Sequence, residues 1–296
     1  MIHRRTWGDR LFDAANYIGL TMLGIATLFP FLNMLAVSLN HPLDTLRGGI
    51  YLWPREFTWT NYYYTFGDER LYGATMRSVI RTVLATALGI AVTAMIAYAL
   101  SRREFIFRKS FNFLFVLTLY LNAGLIPVYL LIKEIGLMNN FAVYILPGLV
   151  AVFNVMIMRS YFQQLPEGVV ESAKIDGAND YQVLFRIIMP MSMPVVATIM
   201  LFIAVGNWNS WFDNYLYASR SDHLSLLQFE LQKVLMQSIA EVISPHDHPD
   251  AARALNQSPE SIRAAMTIVV TLPILLIYPF LQKYFVKGIT IAAMKE

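Results

Sequence analysis

Between residues 205 and 217 the chain reads VGNWNSWFDNYLY, crowding Asn207, Trp208, Asn209, Trp211 and Asp213 at the end of an apolar run. Flat ring faces beside amide and carboxylate tips suit a sugar, whose C–H faces lie on aromatics and whose hydroxyls take hydrogen bonds. The same mixture also serves as an interfacial belt that anchors a helix end among lipid headgroups. Tyr120, Asn122 and Asn154 sit inside other apolar stretches. A polar group there turns toward protein or water, either lining a pathway or bonding a neighbouring helix. His246, Asp247, His248 and Asp250 look superficially like metal ligands, but HDHPD in a polar, proline-interrupted loop has no recognised ligand spacing, and no metal is expected. His3, His41 and His223 stand alone. GxxxxGK[ST], HExxH and GxSxG are all absent from the sequence, so its polar residues point to binding rather than catalysis, and any ATP must be held by another molecule.

The elements that carry these residues are apolar. Of the 296 residues 56% are hydrophobic and 15% charged, and the apolar residues come in blocks, which reads as a polytopic membrane protein. With no cysteine, disulfides and thiolate metal sites are excluded. The net charge is +3, but the basic residues lie scattered at block edges, which suits topology better than nucleic acid. Six blocks are long enough to cross a bilayer: roughly 13–39, 73–100, 110–132, 141–163, 187–212 and 263–285. An even number puts both termini on one side. Thirteen Lys and Arg then fall on the side of the termini and ten on the other, four of the thirteen in the short loop SRREFIFRKS, so the termini are expected in the cytoplasm. The apolar start is read as an uncleaved first span. Residues 1–12 form a cytoplasmic N-terminus and 13–296 a transmembrane domain, with an extracytoplasmic loop at 218–262.

Within that frame, Tyr51, Trp53, Trp59, Tyr62, Tyr63 and Tyr64 in the first outer loop favour an interfacial belt. Ala85, Ala87, Gly89, Ala91, Ala94 and Ala97 in the second block allow close helix packing. Pro147-Gly148 predicts a kink in the fourth block and Pro190 with Pro194 a bend at the start of the fifth. LSLLQFELQKVLMQSIAEV has the spacing of an amphipathic helix. No internal duplication of the block pattern is evident, which argues against two transporter repeats in one chain.

One charged interlude, PEGVVESAKIDGANDYQVLFRIIMP at 166–190, separates two apolar blocks. Pro166 suits a first helical turn and Gly177 a left-handed helix stop; Asn179 with Gln182 is a capping pair for a second short helix running toward Pro190. Two short helices and a tight turn make a knob suited to docking, with Glu171, Lys174 and Asp176 for a charged partner and Val170, Ala173 and Ile175 for an apolar groove.

Glu171-Ser172-Ala173, Asp176-Gly177-Ala178, then Phe185, Ile187 and Pro190 resemble the EAA loop of the permease subunits of ABC importers. Ser172 and Met189 depart mildly from the family pattern. The stretches 123–140, 144–167, 205–217 and 225–235 extend the resemblance to carbohydrate-type permeases, and within them to the LplC-type branch. The resemblance implies an all-α membrane protein with six transmembrane helices of the type I ABC importer permease fold. It implies that Glu171, Ser172, Ala173, Asp176, Gly177, Ala178, Phe185 and Pro190 couple to an ATPase, and that the chain sits in the bacterial cytoplasmic (inner) membrane. A second homologous permease, two ATPase subunits that use ATP and Mg, and an extracytoplasmic solute-binding protein are the implied partners. The implied substrate is an oligosaccharide or a polysaccharide-derived sugar. Rivals are a permease for a non-sugar solute, a secondary transporter, and a non-transporting scaffold. An ion-coupled transporter needs carboxylates at depth, where only Asp213 lies near a span.

Overall fold

The computed structural model describes residues 7–67, 69–121, 123–243 and 258–293, with side chains described in 7–236 and 258–279 of these. Helices carry the described chain: α1 (Trp7–Ser38), α2 (Pro42–Thr45), α3 (Thr60–Gly67), α4 (Glu69–Ser101), α5 (Arg108–Tyr120), α6 (Leu125–Glu134) and α7 (Val152–Phe162) come first. Then follow α8 (Glu167–Ile175), α9 (Asp180–Val183), α10 (Met189–Met191), α11 (Met193–Asn209), α12 (Phe212–Ala218), α13 (Leu227–Ile243) and α14 (Pro259–Ala293). Among the described residues the only extended pairing is an isolated bridge between Asn40 and Phe57.

Among the described residues three helices are long and apolar enough to cross a membrane: α1, α4 and the Pro259–Pro279 part of α14. Three bent pairs pass the same test, and counting each as one span gives six. One block read as continuous is broken. The block 110–132 bends by 118° between α5 and α6. There Leu121 is extended and Gly124 holds φ +82°; Asn122, read as a polar residue within an apolar helix, lies outside the described residues. Pro127 falls in the first turn of α6, where its missing N–H is not needed. The bend expected at Pro190 and Pro194 is present, and it carries the start of the fifth span past 187. The chain turns by 91° at Ser192, and Pro194 opens α11. The kink expected at Pro147-Gly148 is present as a turn of tight helix before α7, with a bend of 46°.

The chain divides into two compact units, Met1–Glu69 with Lys233–Thr271, and Arg70–Gln232 with Leu272–Glu296. In the first, Ala36, Val37, Ile50 and Ala264 make a small core while most of α1 from Trp7 to Leu35 stays exposed. Two buried asparagines fasten the loop after α1. Asn40 donates to Asp44 (3.0 Å) and Thr45 (3.1 Å) and accepts from the Glu56 N–H (2.9 Å), while Asn61 donates to the Ser38 and Asn40 carbonyls (both 2.9 Å). The Asn40 amide, helped by Arg55 at 3.0 Å, holds the Asp44 carboxyl below its ordinary range. Most loop rings expected to form a belt stand outward, Trp53 82% and Tyr63 77% exposed, whereas Tyr62 is half-buried with its hydroxyl 2.8 Å from Ser38 Oγ.

The second unit is the helical bundle. Ile90, Ala94, Ala97 and Tyr98 of α4 pack with Val155, Met158 and Phe162 of α7 and Val195 and Ile199 of α11. A Cβ at Gly89 would lie 3.3 Å from Ile203 Cδ1, so the small residues of α4 do allow α11 to approach closely. A second core joins Ile132, Val143, Tyr144, Tyr217, Leu224 and Leu226.

Candidate functional site

Between α7 and α11 the knob is built as its capping residues dictate. α8 ends in a two-bond reversal: the Gly177 N–H donates to the Lys174 carbonyl (3.1 Å) and the Ala178 N–H to the Ala173 carbonyl (2.9 Å). Gly177 at φ +83° supplies the left-handed residue that this reversal requires. Asn179 and Gln182 form a reciprocal capping box at the start of α9, with bonds of 2.9 and 3.0 Å. Beyond it the chain widens into one π-helical turn over Leu184–Ile188. Pro190 lies just past that turn and has no N–H to give the Arg186 carbonyl, the loss that such a widening accommodates.

Burial decides which face of the knob is free. Val170 and Ala173, expected to fill a partner's groove, instead pack into the chain's own core with Val183, Leu184 and Ile188. Their spacing puts them on the face of α8 turned toward the bundle. Gly168, Glu171, Ser172 and Ile175 recur at three- and four-residue steps on another face, all exposed, with Ile175 at 86%. Asp176, Gly177, Phe185 and Pro190 are exposed too, and Ala178 is half-buried. Lys174, expected to await a partner, already meets Glu104 at 2.9 Å and Asp180 at 3.6 Å. The Glu104 hydrogen bond, with the Asp180 charge nearby, raises the Lys174 pKa, so its ammonium is held charged.

At the other end of α11 a polar cluster encloses two of the residues singled out for sugar, Asn207 and Asp213. Arg81, 4% exposed on its side chain, pairs with the Asp213 carboxylate, donates to Asn207 Oδ1 (3.3 Å) and the Ser210 carbonyl (3.4 Å), and lies 5.1 Å from the Tyr144 ring centroid. Ser210 Oγ donates to Asp213 at 2.9 Å. Asn207 and Asp213 are therefore tied to α4, across the helix break at Ser210–Trp211. Trp208 is buried, lining a 180 Å³ apolar cavity with Val79, Leu201, Pro273 and Ile277. Asn209 remains exposed, accepting from Gln228 at 3.1 Å. Trp211 joins Phe212 and Tyr215 in a ring cluster with centroids 5.6–6.3 Å apart. Tyr120 is 83% exposed and Asn154 is buried in α7, so neither is brought to this cluster by a bond among the described residues.

Four further groups fasten the segment that follows. Arg77 donates to the Ser225 carbonyl (2.8 Å) and Tyr144 to the Leu224 carbonyl (3.0 Å). Ser78 accepts from the Leu227 N–H (2.9 Å) and Asn214 from the Leu226 N–H (2.8 Å). The sequence reading counted Arg77 and Arg81 only as topological charges. Their signal was visible: two arginines four apart, inside an apolar block, must find buried partners on one helix face.

Residues 2–291 match the family described as binding-protein-dependent transport system inner membrane component. The chain belongs to that family. It is 35% identical to the polygalacturonan/rhamnogalacturonan transport system permease protein YtcP of Bacillus subtilis (strain 168), over 97% of this chain and 99% of that protein. It is also 35% identical to Protein LplC of the same organism, over 98% and 97% of the two chains. A chain in the crystal structure of a bacterial ABC transporter involved in the import of the acidic polysaccharide alginate superposes with TM-score 0.84 at 26% identity, covering 95% of this permease and 99% of that chain. The permease is thus an inner-membrane transport component with the ABC importer fold, and not an enzyme. The polygalacturonan/rhamnogalacturonan permease and the alginate importer agree with the carbohydrate-type resemblance.

Proposed function

We propose that this permease is one of two homologous membrane subunits of an ATP-driven importer that takes up an oligosaccharide released from a polysaccharide. The superposition on the alginate importer chain over 95% of this chain carries the reading. A second permease, two ATPase subunits holding ATP and Mg, and an extracytoplasmic binding protein complete the importer. Both termini and the 166–190 knob face the cytoplasm, and 218–262 faces outward. The ATPase docks on the exposed Glu171, Ser172 and Ile175 face, with Asp176, Gly177, Phe185 and Pro190 beside it, while Ala173 and Ala178 hold the knob to the bundle.

On the outer side, Asn209, Gln228 and the Trp211–Tyr215 ring cluster offer hydrogen-bonding tips beside exposed aromatic faces, the combination a sugar needs. Asn207 and Asp213 shape that surface through Arg81. The complex purified with its binding protein from cells grown on plant or algal polysaccharide is expected to retain a sugar oligomer identifiable by mass spectrometry. Retention of an amino acid, peptide or metal chelate instead would favour the non-sugar reading.

A further inference from the structure

We propose that Arg103 and Glu104, neighbours in the short connection between α4 and α5, position α8 by holding both of its ends, and so set which face of the knob meets the ATPase. The proposal rests on the reading of 166–190 as the docking segment. α8 has nine residues, fewer than the roughly 12–15 an isolated helix needs, so its setting must come from what it touches. Its buried contact is narrow, since only Val170 and Ala173 are buried. Two side chains on one face resist sliding better than they resist rotation about the helix axis.

The charges supply that restraint. Arg103 Nε meets Glu167 Oε1 at 3.2 Å and Glu104 Oε2 meets Lys174 Nζ at 2.9 Å. Glu167 and Lys174 lie two turns apart on one side of α8, so adjacent loop residues reach in opposite directions along the axis. The signs follow the helix macrodipole, acid in the first turn and base in the last. That side is the boundary between the buried Val170–Ala173 face and the free Glu171–Ile175 face, where a restraint acts on rotation most directly.

An exposed ion pair alone contributes little, about a two- to fivefold change in an equilibrium. These pairs belong to a network. Lys174 also meets Asp180 at 3.6 Å, Asp180 accepts from the Tyr98 hydroxyl at 3.2 Å, and Arg102 lies 4.8 Å from the Tyr98 ring centroid. The end of α4, its loop, α8 and α9 are thereby joined as one cytoplasmic frame. A motion of α4 reaches the docking face through side chains, besides the path through the backbone of α7 and α11.

The absence of cysteine permits a direct test. Ile175→Cys and Ala173→Cys are placed singly in the full chain, with and without Arg103→Gln plus Glu104→Gln, and maleimide labelling rates are measured in native membranes and in the assembled importer. The proposal predicts that the clamp substitutions lower the ratio of labelling at 175 to that at 173 by about threefold, the middle of the range set by exposed pairs. They also lower uptake per ATP hydrolysed while subunit stoichiometry is retained. Adding Lys174→Gln to Glu104→Gln should cost less than Lys174→Gln costs alone, because only the Lys174–Asp180 pair is then left to lose. An unchanged labelling ratio in membranes overturns the clamp even if assembly is affected. Ile175→Asp separates the two readings: if it leaves ATPase co-purification intact the docking face is wrong, whereas the labelling ratio still reports on the clamp.

Discussion

Replacing Asp213 by Ala leaves Arg81 buried beside the helix break without its anion. Breaking a buried pair by removing one partner costs about 3–5 kcal/mol, because the remaining charge is stranded. Here the Arg81 side chain is 4% exposed and that of Asp213 21%, and Arg81 keeps Asn207 Oδ1 and the Ser210 carbonyl, so the lower end applies. About 3 kcal/mol at roughly 2–4 °C per kcal/mol gives a fall in melting temperature of about 6–12 °C. The assay is thermal unfolding of the purified importer in lipid nanodiscs, followed by tryptophan fluorescence. Arg81→Met with Asp213→Leu should recover most of that loss, since replacing both charges removes the stranded one. An Asp213→Ala variant with unchanged melting temperature and abolished uptake would refute this reasoning and return the carboxylate to the substrate. So would a double variant no better than the single.

Gly177→Ala has open space around the new Cβ, so its effect is backbone strain at φ +83°, about 1 kcal/mol; ATPase co-purification should weaken roughly fivefold, and normal assembly would show that the turn does not set docking. Ser172→Cys should react only with membrane-permeant maleimides in intact cells and Ser219→Cys with impermeant ones, and the reverse pattern would invert the topology. Asp44 is held ionised in the folded loop, so its contribution is present above the ordinary carboxyl pKa and is lost as pH falls through the lower, folded value. Protease resistance of the 39–58 loop should therefore be flat from pH 8 to about 5 and fall only below about 4, while Asp44→Asn should flatten that acid loss.

How much of this was legible in the residues varied with the kind of interaction. Capping chemistry is local, so Gly177 and the Asn179–Gln182 box could be read from neighbours in the chain and are present as expected. The small residues of α4 were legible for the same reason, because size at helical spacing announces close packing. Span continuity was not: the long apolar run hid the break at 121–124, since hydropathy has no term for the positive φ at Gly124. Which face of α8 is free was also out of reach. Val170, Ala173 and Ile175 are alike in composition, and only the placement of α4, α7 and α11 buries the first two and leaves the third exposed. The Arg81–Asp213 pair spans 132 positions of sequence, and each member alone looks like an end-of-span charge.

Uptake by proteoliposomes containing the permease, its partner permease and the ATPases is the most direct test of the importer assignment. ATP and Mg are enclosed, and the loaded binding protein is added outside. Accumulation of labelled oligosaccharide should require enclosed ATP, require the binding protein, and persist when ionophores collapse every ion gradient. Uptake that continues without ATP and disappears with the ionophores would contradict the assignment.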